Sequence, residues 1–430
     1  MSDPPAVESR RVHLKRLTVL AAGASGLAAC ARSAGRRPRT AIEGPEAQRR
    51  VRVGLLVDVE TVRMGAAGDI VAAEGPVGGV NTGVTMRSGE AVDVRPSGNG
   101  ITVFRGGQSA QFDSLVFRSS GHSGFVTVNG APYRGSVAVT ARNGTMTVVN
   151  DLGFEDYVQG VVAMEMGSRA RTDLAALEAQ AVAARTYAVT NLGRFAAQGF
   201  DLRAGVVDQG YQGAGRESDI GNLAVHNTRD LVVSYDGVAI AAFFHSTCGY
   251  ATASPEESFR SVRPRPYLRS VSDRYGGGYY CEMSPRFRWQ VEWLGTQLRD
   301  VLRTTVPRSL GIEAEFVSEI RDVAVRSTGR SGRATEIRVR VERGEILVFG
   351  PDVRSVFQTP DATSLGSTAV QLVSERENDR LIRLVASGAG WGHGVGMCQW
   401  GAIGRARAGQ DFRSILQTYY PGAGVTRWSS

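Results

Sequence analysis

From Val51 to about Asn150 apolar and polar residues alternate in short runs, each closed by Gly, Asn or Ser. Val51-Arg-Val-Gly-Leu-Leu-Val, Gly100-Ile-Thr-Val-Phe, Gly124-Phe-Val-Thr-Val, Ser136-Val-Ala-Val-Thr and Thr145-Met-Thr-Val-Val read as β-strands. A period of two sends alternate side chains to opposite faces of a sheet. Asn129-Gly130 and Asn143-Gly144 are hairpin punctuation, because both residues tolerate positive φ. The spacing then becomes helical. Asp156 to Met166 is almost wholly apolar, and Leu174 to about Phe195 is Ala-rich, with Asp173 before it as N-cap. Strand signals return at Ala241-Ala-Phe-Phe and from about Val317 to Val385, where Ile337-Arg-Val-Arg-Val alternates most clearly. A last helix is predicted over Asp411–Tyr420, closed by Pro421-Gly422. The expected class is α+β: mostly antiparallel strands around a central Ala-rich helix, with a β-rich N-terminal accessory portion.

One acid interrupts the first helical run. Glu165 lies above Val161, Val162 and Val158 on a single apolar stripe. A carboxyl group on such a stripe loses water, which favours its protonated form, and a retained proton is what a general acid needs. The alternative is a helix-terminal Glu turned to solvent. On the Ala-rich helix Gln180, Arg185 and Tyr187 are the polar exceptions, and Arg185 must pair with an acid or face a cleft. Asp208-Gln209-Gly210-Tyr211-Gln212-Gly213 combines amides and a phenol, groups suited to sugar hydroxyls and pyranose faces. Gly388-Ala-Gly-Trp-Gly-His393-Gly-Val-Gly-Met-Cys398-Gln399-Trp400-Gly401 has neither a phosphate-loop Lys-Ser/Thr pair nor the dinucleotide glycine spacing. Its glycines suit a tight backbone path that carries His393 and Gln399 to a site.

With 430 residues, 42% hydrophobic and 21% charged, the chain can bury a sizeable core. The net charge of +8 is nearly all arginine, since Lys15 is the only lysine. That field suits an anionic polymer such as cell wall. No basic block interleaved with aromatics is present, so no nucleic-acid partner is expected. Residues 1–30 read as an export signal. Ser9-Arg10-Arg11-Val12-His13-Leu14-Lys15 is a twin-arginine-type start, and a short apolar stretch from Leu17 to Leu27 follows. Leu27-Ala28-Ala29-Cys30 resembles the lipobox of bacterial lipoproteins, with Cys30 as the lipidated residue and the lipid as the membrane anchor. Residues 31–50 are a linker. The protein is therefore expected outside the cytoplasm. There Cys248 and Cys281 are disulfide candidates, with Cys398 left over. A metal site among His245, Cys248, Cys281, His393 and Cys398 is the competing reading, because the spacings are permissive without being a zinc signature. No cofactor is expected otherwise.

Five blocks together resemble the SpoIID/LytB domain family of stage II sporulation protein D and the amidase enhancers. They are Tyr157-Val-Gln-Gly-Val-Val-Ala-Met-Glu165-Met, Ala179-Gln-Ala-Val-Ala-Ala-Arg185-Thr-Tyr187-Ala, His245-Ser-Thr-Cys-Gly, Tyr267-Leu and Gly390-Trp-Gly-His-Gly-Val-Gly-Met-Cys-Gln-Trp-Gly-Ala. The resemblance divides the rest of the chain into a β-rich N-terminal portion, 51–130, and a SpoIID/LytB-like domain, 131–430. It implies a lytic transglycosylase acting on peptidoglycan glycan strands, with Glu165 as the catalytic residue. Arg185 matches an arginine linked to activity in the sporulation branch. Arg185, Tyr187, Gln209, Tyr211, His393 and Gln399 would then position sugars or the lactyl carboxylate, with Asp208 and Glu155 the nearest candidates for a second carboxylate. The amidase-enhancer branch implies a different role: holding glycan and activating a separate cell-wall amidase. Two departures stand out. Gly167 follows Glu-Met where relatives often have Pro, and no Cys or His lies between 190 and 225, where some relatives carry zinc ligands.

Overall fold

The computed structural model describes residues 49–428, apart from 78–79, 122, 206 and 261. The export signal, Cys30 and nearly all of the linker lie outside the described residues. Alternation in the first hundred described residues produces two sheets. In Arg50–Val59 the arginines at 50 and 52 face out while Val51 and Val53 are fully buried. One sheet runs in the order Leu202–Arg203, Arg50–Val59, Thr145–Gly153, Ser136–Arg142, Ser114–Ser119, Val71–Val77, Val80–Met86. The other runs Ala131–Tyr133, Phe125–Val128, Val62–Ala67, Ala91–Ser97, Gly100–Arg105, Gln108–Phe112. Their inward residues, among them Val53, Met64, Val94, Phe117 and Val139, share one core. Pairing is antiparallel except where Leu202–Arg203 adds in parallel to Val53 and Gly54. All five strand runs read from the sequence are strands, and both Asn-Gly pairs turn at positive φ. A boundary between 130 and 131 would cut the hairpin that pairs Phe125–Val128 with Ala131–Tyr133. Strands on both sides of that line complete each sheet.

Thr145–Gly153 runs directly into helix Phe154–Met166, which ends at Gly167, φ 65°. Helix Leu174–Asn191 is fully enclosed at Ala176, Ala179, Ala181, Ala183, Ala184 and Ala188. Phe154–Met166, Asp219–Asn227, Gln399–Arg407, Phe412–Tyr419 and strand Leu231–Tyr235 all pack on it. Small side chains permit that close approach on every side. The helix stops before the expected Phe195, at Asn191, where the chain turns through Gly193 at φ 77°. Asp173 makes no capping bond; Arg407 takes its carboxylate instead, at 2.6 and 3.0 Å. Asp411 does cap the last helix, accepting from the Ser414 N–H at 2.8 Å.

Residues 288–389 build a second core around Trp293, Leu298, Val339 and Leu384. Two three-stranded antiparallel sheets enclose it with helix Gly295–Leu310, which the sequence reading did not include. Among the described residues no helix is long and apolar enough to cross a membrane.

Candidate functional site

Three segments converge on Glu165. The first is its own helix, whose Val158, Val161 and Val162 are wholly buried and lock the last turn in place. The second is the 208–213 turn. Gln209 and Tyr211 are buried at 2% and 3% exposure, on either side of Gly210. The Gln209 amide donates to the Tyr157 hydroxyl at 3.1 Å and to the Ala184 carbonyl at 3.3 Å. The Tyr211 hydroxyl donates to Asn150 Oδ1 at 2.7 Å. With its neighbours anchored inward, Gly210 turns its N–H to Glu165. A Cβ at Gly210 would come within 2.9 Å of Glu165 Oε1 and Met164 Cγ, so glycine is what lets the backbone approach. The third segment is the glycine-rich run. Met397–Cys398 pairs in parallel with Phe244–His245, and Thr247 bridges Trp391. At Gly396, φ 72°, a Cβ would lie 1.9 Å from the Phe243 carbonyl oxygen. That tight path starts helix Gln399–Arg407 beside Glu165.

Glu165 itself is half-buried. Oε1 accepts the Gly210 N–H at 2.7 Å, and Oε2 accepts the Gln399 side-chain amide at 3.1 Å. The apolar stripe expected beneath it is present, but the carboxyl group is gripped by polar donors at the end of that stripe. The reason is reach: a helix-terminal Glu extends past the valines to the turn and the glycine run.

The other expected substrate-binding residues are placed differently. Arg185 is fully buried and does not reach the surface of the site. Its guanidinium donates to Glu155 at 2.8 and 2.6 Å and to the Leu231 carbonyl at 3.0 Å. Of the two choices the helix pattern left open, it pairs with an acid. The Tyr187 hydroxyl donates to Asp208 at 3.1 Å. Burial, with Asp208 beside it, pushes that phenol above its usual range. His393 sits among the rings of Phe243, Phe259 and His245. Its Nε2 pairs with the Phe244 carbonyl at 2.9 Å, and its Nδ1 accepts the Val395 N–H at 3.1 Å. Burial, reinforced by His245, pushes it down to about 3, so the neutral ring fastens backbone to backbone. Tyr187, Gln209, Tyr211 and His393 thus hold the loops that carry the donors. Gln399 touches Glu165 directly.

Neither candidate second carboxylate is free. Glu155 is held by Arg185, and Asp208 accepts from Arg194 at 2.7 Å, Tyr187 at 3.1 Å and the Arg203 N–H at 2.8 Å. The Cys248 and Cys281 sulfurs are 3.6 Å apart and remain free thiols, as does Cys398. The expected disulfide is therefore not formed in this structure; a bonded pair would close to about 2.05 Å.

Sequence reading did not single out Arg169, four residues after Glu165, and Trp400 as a pair. Arg169 stacks over the Trp400 ring at 4.7 Å, and Trp400 directly follows Gln399. Both are half-buried. The clue was available in part, because Arg169 lies in the polar break after Glu165, but its aromatic partner is remote in sequence. An open pocket elsewhere, lined by Tyr250, Arg288, Trp289 and Gln371, includes none of the residues around Glu165.

Residues 142–235 match a family model described as stage II sporulation protein, and residues 274–396 match one described as a domain of unknown function. An uncharacterised protein of Brachyspira hyodysenteriae is 32% identical over 318 residues, 74% of this chain and 77% of that protein. The amidase enhancer of Bacillus subtilis is 29% identical over 304 residues, 63% of this chain but only 40% of the enhancer. Stage II sporulation protein D of Bacillus subtilis is 26% identical over 293 residues, 65% of this chain and 76% of the relative.

Proposed function

The chain belongs to the SpoIID/LytB family, and from that premise we propose that it is a lytic transglycosylase of peptidoglycan glycan strands with Glu165 as its only catalytic carboxyl group. The observation that carries this reading is the double clamp on Glu165 by the Gly210 N–H and the Gln399 amide. Two donors brought from distant segments fix both carboxyl oxygens of this half-buried side chain. That is the pre-positioning a proton-transfer group requires.

A hydrolytic glycosidase generally uses two carboxylates. Here Glu155 and Asp208 are both engaged by arginines. Single-carboxylate chemistry fits this arrangement. Glu165 gives its proton to the glycosidic oxygen between N-acetylmuramic acid and N-acetylglucosamine as the bond to the muramyl anomeric carbon breaks. The muramyl C6 hydroxyl attacks that carbon, and the Glu165 carboxylate takes the hydroxyl proton. The products are a free N-acetylglucosamine 4-hydroxyl and a 1,6-anhydro-muramyl end, with no water consumed. Trp400 offers a ring face for a pyranose, and Arg169 a cation for the lactyl carboxylate. The positive net charge suits an anionic wall polymer. Export through the twin-arginine signal and lipidation at Cys30 would hold the protein at the outer face of a membrane. Palmitate labelling that disappears in Cys30→Ala tests that part.

A second reading draws on the resemblance to the amidase enhancer: the protein holds glycan and stimulates a separate amidase. One experiment separates the two. The purified protein is incubated with glycan strands, with and without stem peptides, and the products are read by mass spectrometry. Anhydro-muramyl products from wild type, lost in Glu165→Gln, support the transglycosylase. No such product, with amidase stimulation unchanged by Glu165→Gln, supports the activator.

A further inference from the structure

Cys248, Asp273, Cys281 and Cys398 come together from three separate stretches of chain, and all four are fully buried. One ligand atom from each lies within 4.8 Å of every other. A tetrahedral ion bound at about 2.3 Å to sulfur sets sulfur–sulfur edges of about 3.8 Å. Cys248 and Cys281 are 3.6 Å apart, and Cys248 Sγ lies 3.5 Å from Asp273 Oδ2. Both separations are close to such an edge, and the sulfur–sulfur one is far too long for a disulfide.

The surroundings are those of a supported metal centre. Cys398 Sγ accepts backbone N–H groups from Cys248 and Gly401, each at 3.2 Å, and Cys398 caps helix Gln399–Arg407. Both features favour a thiolate. Asp273 is divided in use. Its Oδ1 accepts the Tyr419 hydroxyl at 2.7 Å and Arg405 at 3.3 Å, while Oδ2 faces the sulfurs. Gly401 leaves room for the carboxylate, since a Cβ there would approach Asp273 to 2.7 Å. Arg333 is fully buried too. It bonds the Cys248 carbonyl at 2.8 Å, while its Nε and Nη1 have no partner among the described residues. Three thiolates and a carboxylate would carry four negative charges. A divalent ion offsets two of them, and Arg405 and Arg333 face the remainder.

We propose that Cys248, Asp273, Cys281 and Cys398 bind one zinc ion, which ties the His245–Cys248 strand end and the 273–281 loop to the start of the helix that presents Gln399. The site goes beyond the glycan chemistry and does not depend on it. Its geometry also separates the expected metal candidates: the cysteines close around Asp273, while His245 and His393 bind backbone carbonyls.

The test is metal stoichiometry and spectroscopy on the purified full chain. We expect about one zinc per chain by mass spectrometry of the metals. After stripping under reducing, denaturing conditions and refolding with cobalt(II) alone, tetrahedral d–d bands and a thiolate-to-cobalt charge-transfer band should appear. Tyr419→Phe, which removes the hydroxyl that donates to Asp273 Oδ1 and accepts from Arg405 Nε, should weaken zinc affinity about 10-fold. Cys281→Ser should abolish the charge-transfer band or shift it, whereas His245→Gln should leave it unchanged. If Cys281→Ser does not fold, the wild-type cobalt spectrum decides. Three reduced thiols with neither zinc nor a cobalt spectrum would overturn the proposal. So would a Cys248–Cys281 disulfide in freshly isolated protein, found by non-reducing peptide mapping.

Discussion

The side-chain amide of Gln399 reaches Oε2 of Glu165 at 3.1 Å across 234 positions of sequence. Gln399 is itself only 6% exposed, so it is held as firmly as the acid it touches. Removing that donor should affect reaction more than folding. We expect Gln399→Ala to lower kcat for anhydro-muropeptide release by about 10-fold or more, with a smaller change in KM, as a lost transition-state contact does. Steady-state kinetics on defined glycan strands measures it. A change confined to KM would assign Gln399 to sugar binding alone.

Arg185 and Glu155 should behave as a structural pair. The guanidinium is fully buried and the carboxylate nearly so. Deleting one partner leaves the other charge stranded, and such losses cost about 3–5 kcal/mol. Arg185→Met or Glu155→Leu alone should lower the urea midpoint sharply, and the double variant should recover much of the loss. The folded fraction of the double variant should still cut glycan. Wild-type stability with lost turnover in Arg185→Met would instead return Arg185 to the substrate.

Tyr211 anchors the turn that supplies the Gly210 N–H. Tyr211→Phe leaves Asn150 Oδ1 without its 2.7 Å donor inside the protein. An unpaired buried acceptor costs about 1–3 kcal/mol. Denaturant unfolding should show that loss, and turnover should fall because the turn is looser. Asn150 keeps its own donations to the Arg134 and Ser136 carbonyls, so the pairing of Thr145–Gly153 with Ser136–Arg142 should survive.

Acid should weaken the fold through His245. Burial, together with Arg333 and Arg354, pushes its imidazole down to about 3 from 6.5. The folded value lies below the unfolded one, so between pH 6.5 and 3 the unfolded chain binds a proton that the folded chain refuses. The stabilising contribution is complete above pH 6.5 and is lost as pH falls through that window. By pH 5 the loss is about 2 kcal/mol for one such ring. Urea midpoints at pH 7 and pH 5 should show it, and His245→Gln should flatten that part of the profile. His393, shifted the same way, should add to it.

Much of the architecture was legible in the linear chain, because burial imposes its period directly on the residues that make a strand or helix. The alternation at Val51 and Val53, the two Asn-Gly turns and the valines under Glu165 all appear where that period places them. Helix Gly295–Leu310 escaped notice because a strand signal precedes and follows it, and its exposed face is strongly polar.

The candidate site divides along the same line. The sequence alone determined the acid at the end of an apolar helix, the glycine run with Gln399, the small-residue helix and the family. Tertiary structure alone decided that Arg185 would meet Glu155, that Gln209 and Tyr211 would turn inward so that Gly210 could face Glu165, and that Asp273 would join three cysteines. Periodicity is a local property, written wherever a segment meets the core. A hydrogen bond or a ligand set between remote segments depends on how whole elements pack, and no spacing within any one of them records it.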